Sequence, residues 1–391
     1  MRTLNAASVL PEDGTAGTLV GRVWLPSASG PAVVAVRGDG VFDVTSSFPT
    51  VSALAEEAQP ASSLGKVVGT RVGSLDDIVT NALPDHRDSS KPWLLAPLDL
   101  QVLKAAGVTF VVSMLERVIE ERARGNPSSA AAIRQEVVRL VGDDLSRLKP
   151  GSPEAMRLKD VLIAQQAWSQ YLEVGIGPDA EVFTKAPVLS SVGTGMDAGL
   201  HPKSTWNNPE PEVVLVVSSR GRIVGATLGN DVNLRDFEGR SALLLSKAKD
   251  NNASCAVGPL VRLFDSTFSL DDVRKMDLNM TVTGEDGFVL DGHSSISKIS
   301  RDPEDLVSQT VGPVHQYPDG FALFLGTMFA PVKDRDMPGQ GFTHKRNDVV
   351  AIEAAKLGKL VNRMRSSDEC EAWTFGIGAL MKNLASRGYL K

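Results

Sequence analysis

The chain has 391 residues, enough for two domains, and its hydrophobic (42%) and charged (23%) fractions are those of an ordinary folded globular protein. The formal net charge of −6 excludes a general nucleic-acid-binding surface, which would need a basic excess. The two cysteines, Cys255 and Cys370, are too few for a disulfide framework, so we expect a reducing, cytoplasmic setting. The first residues lack a signal-peptide pattern and no apolar run approaches the length of a membrane span, so we expect no membrane partner.

Residues 1–90 read as a small α+β domain. Short strand patterns at 19–25 and 32–37 alternate with Gly and Pro, and 46–58 can hold a strand and then a helix. No catalytic constellation stands out in this part of the sequence. We therefore predict that a second, catalytic domain spans residues 91–391.

A helical region follows the start of the second domain. Between Gly107 and Gly125 apolar residues recur at helical spacing, which predicts an amphipathic helix. On pattern alone its polar face is solvent-exposed, with Arg117 and Glu121 paired at i,i+4. Further apolar stripes predict a helical insertion at about 114–172, which could serve as a lid or an oligomer contact.

Three carboxylates flank two apolar strands farther along the chain. Glu210 and Glu212 precede the apolar run 213–217, and side chains two apart in an extended strand point to one face. A turn leads to a second strand at 223–228, and the hairpin brings Asp231 back beside the glutamates. Buried like charges need a compensating cation, and three carboxylates without nearby Cys or His suit Mg²⁺, or Mn²⁺, better than Zn²⁺. The alternative is a polar strand start followed by an ordinary turn.

The order of these motifs resembles the fumarylacetoacetate hydrolase superfamily. The E-x-E pair and the strand pair are followed by NDVNLRD at 230–236 and by SKAKD at 246–250, where the family has an ND motif and a GKSFD-like element. The second element departs from the family at three of its five positions. The resemblance implies that a divalent metal is held by Glu210, Glu212 and Asp231, and that Lys247 contacts the substrate.

The segment before the metal motifs resembles the family's G-x-N-Y-x-x-H-x-x-E element, which supplies a His/Glu pair for proton transfer. The stretch 107–116 keeps the Gly, an aromatic residue and Glu116, but Ser113 stands at the His position. Because serine cannot replace imidazole as a base near neutral pH, we do not expect a His-assisted attack of water. We predict Glu116 as the general base, with Ser113 and Lys247 beside it in the catalytic site.

Four further residues stand where the family contacts its substrate. Lys185 aligns with the lysine of the family's P-x-x-F-x-K-P-S strand, and Thr327 with the threonine of its G-T-P motif. Ser294 and Ser295 lie where the family has a T-S-x-M turn. The resemblance implies substrate binding for all four, and for Lys185 a pairing with an acidic neighbour remains the alternative.

The resemblance also implies a fold and a reaction. The fold is α+β, mostly β: a small N-terminal α+β domain, then a fumarylacetoacetase-like rolled mixed β-sheet with the helical insertion, assembled as a homodimer or larger homo-oligomer. Its LLAPLDLQ and SMLERVIEERARG segments resemble the 2-keto-3-deoxy-pentonate dehydratases of this superfamily. We therefore expect a Mg²⁺-dependent dehydratase that turns 2-keto-3-deoxy-D-pentonate, derived from xylonate or arabinonate, into 2,5-dioxopentanoate (2-oxoglutarate semialdehyde). The alternatives are an acylpyruvate- or fumarylacetoacetate-type C–C bond hydrolase and a non-catalytic sugar-acid sensor.

Overall fold

The computed structural model describes residues 4–130, 132–135, 148–329 and 331–390. Three positions of a predicted apolar stripe in the insertion lie outside the described residues: Val137, Val138 and Leu140. Among the described residues, no helix combines the length and the apolar character needed to span a membrane.

Most strands belong to one mixed sheet of eleven strands. These are β1 (Leu19–Leu25), β2 (Gly30–Arg37), β3 (Gly40–Asp43), β4 (Thr70–Gly73), β5 (Trp93–Leu95), β6 (Val102–Gly107), β7 (Glu181–Ala186), β10 (Pro211–Val217), β11 (Ile223–Asp231), β13 (Cys255–Leu263) and β16 (Phe321–Phe324). The order across the sheet is β4-β3-β2-β1-β13-β11-β10-β16-β6-β7, with β5 paired to β1. Strands β16 and β6 run parallel, and the other pairs are antiparallel.

A second sheet of five strands has the order β15-β14-β17-β18-β8. Its strands are β8 (Asp197–Leu200), β14 (Asp277–Thr283), β15 (Val289–Ser295), β17 (Val349–Ala354) and β18 (Gly358–Ser366). The short strands β9 (Asn207–Asn208) and β12 (Asn233–Leu234) form a separate antiparallel pair.

The described helices are mostly short. They are α1 (Ala6–Val9), α2 (Val51–Ala55), α3 (Pro60–Gly65), α4 (Leu75–Thr80), α5 (Val111–Arg122), α6 (Pro153–Ala164), α7 (Gln170–Ile176), α8 (Arg235–Glu238), α9 (Leu245–Lys249), α10 (Leu270–Arg274), α11 (Pro303–Thr310) and α12 (Ile377–Ser386). The predicted insertion contains α5, α6 and α7. Buried residues of the three helices, among them Val118, Leu162 and Leu172, pack into one apolar cluster, so these described positions of the insertion are core.

The strand β10 is buried on both faces, which explains its uninterrupted apolar run. Its residues Val213, Leu215 and Val217 pack with the five-stranded sheet in one core layer. Val214 and Val216 pack into a second layer together with α2. Strands from β2 across to β7 all contribute to this second layer, so the large sheet rolls around it.

Strand directions place five chain segments at one edge of the roll. Because β10 is antiparallel to both β11 and β16, the start of β10 lies beside the ends of those two strands. Strand β6 is parallel to β16 and antiparallel to β7, so the end of β6 and the start of β7 lie at the same edge. Side chains at this edge come together although they are far apart in the sequence.

The N-terminal region joins this sheet directly. Strand β1 pairs with β13 and with β5, so hydrogen bonds of a continuous sheet link residues 1–90 to the remainder of the chain. We keep the division into 1–90 and 91–391 as a proposal about the units of the protein.

Candidate metal centre

Glu210, Glu212 and Asp231 lie together at the edge where β10 begins and β11 ends. Each offers a carboxylate oxygen, and the three oxygens are all within 4.8 Å of one another. The residues are only 1–2% exposed. The backbone fixes this arrangement, because the Asp231 N–H donates to the Glu210 carbonyl (3.0 Å) and the Glu210 N–H donates to the Asn230 side chain (2.9 Å).

Three cations offset these charges. Lys249 Nζ donates to Glu210 Oε2 (2.6 Å) and to Asp231 Oδ2 (3.0 Å). Lys185 Nζ lies 2.8 Å from Asp231 Oδ1 and donates to the carbonyls of Val232 and Lys249. Lys185 therefore forms an ion pair with Asp231 in this structure, the alternative that the sequence left open, and its role in substrate binding remains a prediction. The third cation is Arg117 of α5, which contacts Glu210.

Glu212 is held by neutral donors from the end of β16. Gly326 N–H donates to Glu212 Oε2 (2.7 Å), and the Thr327 hydroxyl donates to Oε1 (3.3 Å). Gly326 has φ +104°, and a Cβ there would lie 1.9 Å from Thr109 Oγ1, so only glycine fits. Thr327 therefore lies in the centre, where it contacts a predicted metal ligand.

The electrostatics leave room for a further positive charge. Burial, together with the charges of Asp231 and Glu210, raises the pKa of Glu212 well above its usual range. Burial alone would also raise the pKa of Asp231, but Lys185 and Lys249 outweigh it and lower that pKa. Glu212 thus lacks a cationic partner among the described residues. A hard divalent cation with oxygen ligands, such as Mg²⁺, fits this set of donors.

Lys249, and not Lys247, reaches the carboxylates. Residues two apart on a helix point about 200° apart, because each residue turns the helix by about 100°. Lys249 faces inward from α9 and is 2% exposed, whereas Lys247 faces solvent. The lysine two positions after Lys247 therefore occupies the site, and a catalytic role for the exposed Lys247 remains a prediction.

Arg117 turns into the centre from α5. One of its Nη atoms contacts Glu210 Oε1, and the other lies 2.8 Å from both Glu120 Oε2 and Glu238 Oε2. The predicted exposed pair with Glu121 is wrong, since Glu121 instead accepts hydrogen bonds from residues at the start of α7. The helical insertion is thereby tied to a metal ligand.

Glu116 and Ser113 are buried on α5, but other groups engage them. Glu116 accepts two hydrogen bonds from Arg134, at 3.0 and 2.6 Å. The Ser113 hydroxyl donates to the Phe110 carbonyl one turn earlier (2.9 Å). In the described part of the chain neither side chain has a recorded contact with the three carboxylates, so their catalytic roles remain predictions.

Ser294 and Ser295 lie at the end of β15, in the second sheet. Ser295 Oγ donates to the Met276 carbonyl and accepts hydrogen bonds from Ser297, so it closes the turn after the strand. Within the described ranges, neither serine has a recorded contact with the triad. Their substrate-binding role remains a prediction.

Glu181 is a carboxylate that the sequence interpretation missed. It lies opposite Gly107 in the β6–β7 ladder, and its Oε2 fills the space that a Cβ at Gly107 would need, 1.8 Å away. Burial, and then the charge of Glu238, raises the pKa of Glu181 to about 7. Among the described residues its carboxyl group has no hydrogen-bond or ion-pair partner. Its strand also carries Lys185 and Phe183. The centre of the Phe183 ring lies 5.7 Å from Lys249 Nζ.

A signal for one of the missed residues was present. The period of two along β7 relates Glu181 to Lys185, the aligned lysine. Helix α9 gave no such signal, because Ala248 is one residue from both Lys247 and Lys249 and so favours burial of neither. No comparable signal existed for Arg117, because an Arg/Glu helix face has the same pattern in solvent and in a buried ion-pair network.

The fold and the three-carboxylate centre agree with the motifs noted in the sequence. The family profile described as Fumarylacetoacetate (FAA) hydrolase C-terminal matches residues 181–365. The matched part of the chain holds all three carboxylates.

Among characterised proteins, the chain is similar to sugar-acid dehydratases. A 2-dehydro-3-deoxy-D-arabinonate dehydratase of Saccharolobus solfataricus is 28% identical over 185 residues, which cover 47% of this chain and 58% of that protein. A probable 2-keto-3-deoxyxylonate dehydratase of Haloferax volcanii is 26% identical over 333 residues, which cover 84% of this chain and 94% of that protein.

Solved structures share the fold. A 2-keto-3-deoxy-D-arabinonate dehydratase complexed with magnesium and 2,5-dioxopentanoate matches with a TM-score of 0.61 and 22% identity, over 89% of this chain and 99% of that one. The apo form of a 2-keto-3-deoxy-D-arabinonate dehydratase gives a TM-score of 0.62 at 21% identity, over the same shares of the two chains. The predicted fold is confirmed.

We predict opposite effects of Glu212→Gln with and without Mg²⁺. Without metal at pH 8 the variant should unfold at a higher temperature, because glutamine removes a buried charge that burial and two neighbouring carboxylates oppose. Its amide can still accept from Gly326 and donate to Thr327. Mg²⁺ at about 100 times its Kd should stabilise the wild type by about 2.7 kcal/mol and the variant far less. Thermal unfolding in EDTA and in Mg²⁺ measures both effects. The surface variant Glu353→Gln is the control, and a full Mg²⁺ response in Glu212→Gln would contradict the ligand role.

Lys249→Met and Lys247→Met should differ sharply in metal-free buffer. The first leaves Glu210 and Asp231 buried without a shared cation, which typically costs about 3–5 kcal/mol of unfolding free energy. The second changes an exposed side chain and should stay within about 0.5 kcal/mol. Urea denaturation compares the two variants, and equal losses would show that the site does not depend on Lys249.

The raised pKa of Glu181 predicts a pH-dependent effect of Glu181→Gln. Between its usual pKa near 4.5 and about 7, the folded protein holds more protons on this group than the unfolded chain does. Its contribution to the unfolding free energy therefore falls as the pH rises through this window, and glutamine removes the fall. The variant should gain about 2 kcal/mol relative to wild type between pH 4.5 and 7.5. Urea denaturation across this range, with exposed Asp179→Asn as control, measures the difference, and a constant difference would refute the shift.

Proposed function

We propose that the protein is a Mg²⁺-dependent dehydratase, a carbon–oxygen lyase that converts 2-keto-3-deoxy-D-pentonate into 2,5-dioxopentanoate in non-phosphorylative pentose breakdown. The observation that carries this proposal is the buried centre of three carboxylates with oxygens within 4.8 Å of one another. The relatives named as 2-keto-3-deoxy sugar-acid dehydratases support the choice of substrate class.

Glu210, Glu212 and Asp231 would hold the cation, Mg²⁺ or alternatively Mn²⁺. When bound, it supplies a Lewis acid for the carboxylate and ketone oxygens of a 2-oxo acid, which makes the protons on C3 more acidic. Lys249 and Lys185 keep Glu210 and Asp231 charged and oriented. Gly326 and Thr327 do the same for Glu212.

The chain's own carboxylates would move the protons. A base takes a proton from C3, the C4–O bond breaks, and the leaving hydroxyl takes a proton to become water. A proton shift from C5 to C3 then gives the C4=C5 enol, and transfer of the enol O–H proton to C4 gives the aldehyde. The net change is the loss of one water. We assign the first step to Glu116, which Arg134 must release. We assign the protonation of the hydroxyl to Glu181, whose pKa of about 7 leaves it partly protonated near neutral pH.

The two alternatives have weaker support. Hydrolysis of a C–C bond needs a base that activates water, and the family's histidine is Ser113 here, with its hydroxyl engaged in the helix. A sensor would bind the acid without needing an unpaired carboxyl of raised pKa, whereas Glu181 is one. We further propose that the protein acts in the cytoplasm as a homodimer or larger homo-oligomer.

A panel of 2-keto-3-deoxy sugar acids tests the function. With Mg²⁺, the five-carbon acids should yield the semialdehyde 2,5-dioxopentanoate, detected as its hydrazone by mass spectrometry. A hydrolase or aldol-type cleavage would yield pyruvate and a second fragment instead. EDTA should abolish turnover and Mg²⁺ restore it, and full activity in metal-free buffer would refute the metal's role.

A second experiment tests the two residues proposed to transfer protons, Glu116 and Glu181. Glu116→Gln and Glu181→Gln should each lower kcat by about 10²–10⁴-fold while Mg²⁺ binding persists. Asp179→Asn, an exposed carboxylate two residues before Glu181, is the matched control. Normal turnover in either glutamine variant would remove that residue from the mechanism.

A further inference from the structure

A cavity of about 540 Å³ lies between the helical insertion and the segment that follows α8. Gln170 and Tyr171 of α7 line one side, and Glu238 and Arg240 line the other. Glu238 Oε2 is 2.8 Å from an Nη atom of Arg117, whose other Nη contacts Glu210. A single guanidinium therefore separates the wall of this cavity from a predicted metal ligand.

The Tyr171 hydroxyl is an unused hydrogen-bonding group on this wall. Tyr171 is 5% exposed, and its ring belongs to the apolar cluster of the insertion, next to Leu172 and Val118. Within the described ranges the hydroxyl has no hydrogen-bond partner, and it is not completely buried, so a group in the cavity can reach it. Burial, together with the charge of Glu238, raises the pKa of Tyr171, so the hydroxyl keeps its proton and can donate.

The proposed substrate has two chemically different ends. Its carboxylate and ketone suit the metal, whereas C4 and C5 carry hydroxyls that need both donors and acceptors. Tyr171 supplies a donor and Glu238 an acceptor that Arg117 holds in place. On the premise of the dehydratase function proposed above, we propose that Tyr171 and Glu238 form the subsite for the hydroxyl-bearing C4–C5 end of the substrate.

This subsite assigns a role to the insertion. Tyr171 lies outside residues 181–365, the part that matches the family, whereas the three carboxylates lie within it. The residues at the metal end of the site thus all lie in the part of the chain that matches the family profile. The residues that recognise the rest of the substrate come partly from the inserted helices.

Two unreactive ligands test the subsite without turnover. 5-Hydroxy-2-oxopentanoate and 2-oxopentanoate differ only in the C5 hydroxyl, and neither has a C4 hydroxyl to lose. Calorimetry with Mg²⁺ should show that Tyr171→Phe weakens binding of the hydroxylated acid about 5- to 10-fold and that of the other acid less than 2-fold, the size expected for one neutral hydrogen bond. Glu238→Gln should reduce the same preference.

The control is Tyr389→Phe, near the C-terminus, which should leave both Kd values unchanged. Equal weakening of the two ligands by Tyr171→Phe, no weakening, or a wild type that binds neither acid would overturn the subsite. The dehydratase function is judged separately by turnover of 2-keto-3-deoxy-D-pentonate. A wild type that shows the ligand preference but no dehydration would overturn that function and keep the subsite.

Discussion

Three buried carboxylates cannot lie side by side unless the rest of the site compensates their charge. Glu210, Glu212 and Asp231 are almost fully removed from water, where like charges repel strongly and hydration is lost. Lys249 bridges Glu210 and Asp231, and Lys185 forms a second ion pair with Asp231. Glu212 receives only neutral donors from the end of β16. This imbalance is what a divalent cation would correct.

The same requirement shapes the surroundings of the site. The segment just after β16 needs a glycine at 326, because the N–H of this residue has to approach Glu212 while Thr109 occupies the space beside it. The helix α5 contributes Arg117, which contacts three carboxylates at once. Arg235 adds an ion pair to Glu120 at 3.2 Å, so the network joins the insertion to residues 181–365, the part that matches the family profile. A change of charge at the metal centre therefore directly alters the ion pairs that Arg117 of the insertion forms.

The proton-handling groups follow from a different constraint, the absence of histidine at position 113. Serine cannot take its place as a base, so the proposed mechanism assigns proton transfer to carboxylates. A carboxyl group serves near neutral pH only if burial or like charges raise its pKa, and Glu181 meets both conditions. Glu116 has a firm partner in Arg134 and needs a rearrangement before it can act. The two glutamates thus differ in the structure, since the carboxyl group of Glu181 is unpaired and that of Glu116 is bound by Arg134.

The sequence by itself determined the rolled mixed sheet and the grouping of Glu210, Glu212 and Asp231, and it carried the motifs that resemble the fumarylacetoacetate hydrolase superfamily. These follow from the order of motifs and from the two-residue period of strands, both of which are local in the chain. Only the tertiary structure decided between Lys247 and Lys249 and turned Arg117 inward. It also revealed that the carboxyl group of Glu181 and the hydroxyl group of Tyr171 are unpaired. Burial and charge pairing depend on contacts between residues distant in sequence, such as Arg117 and Glu210, and no local pattern encodes which of several similar side chains will make them.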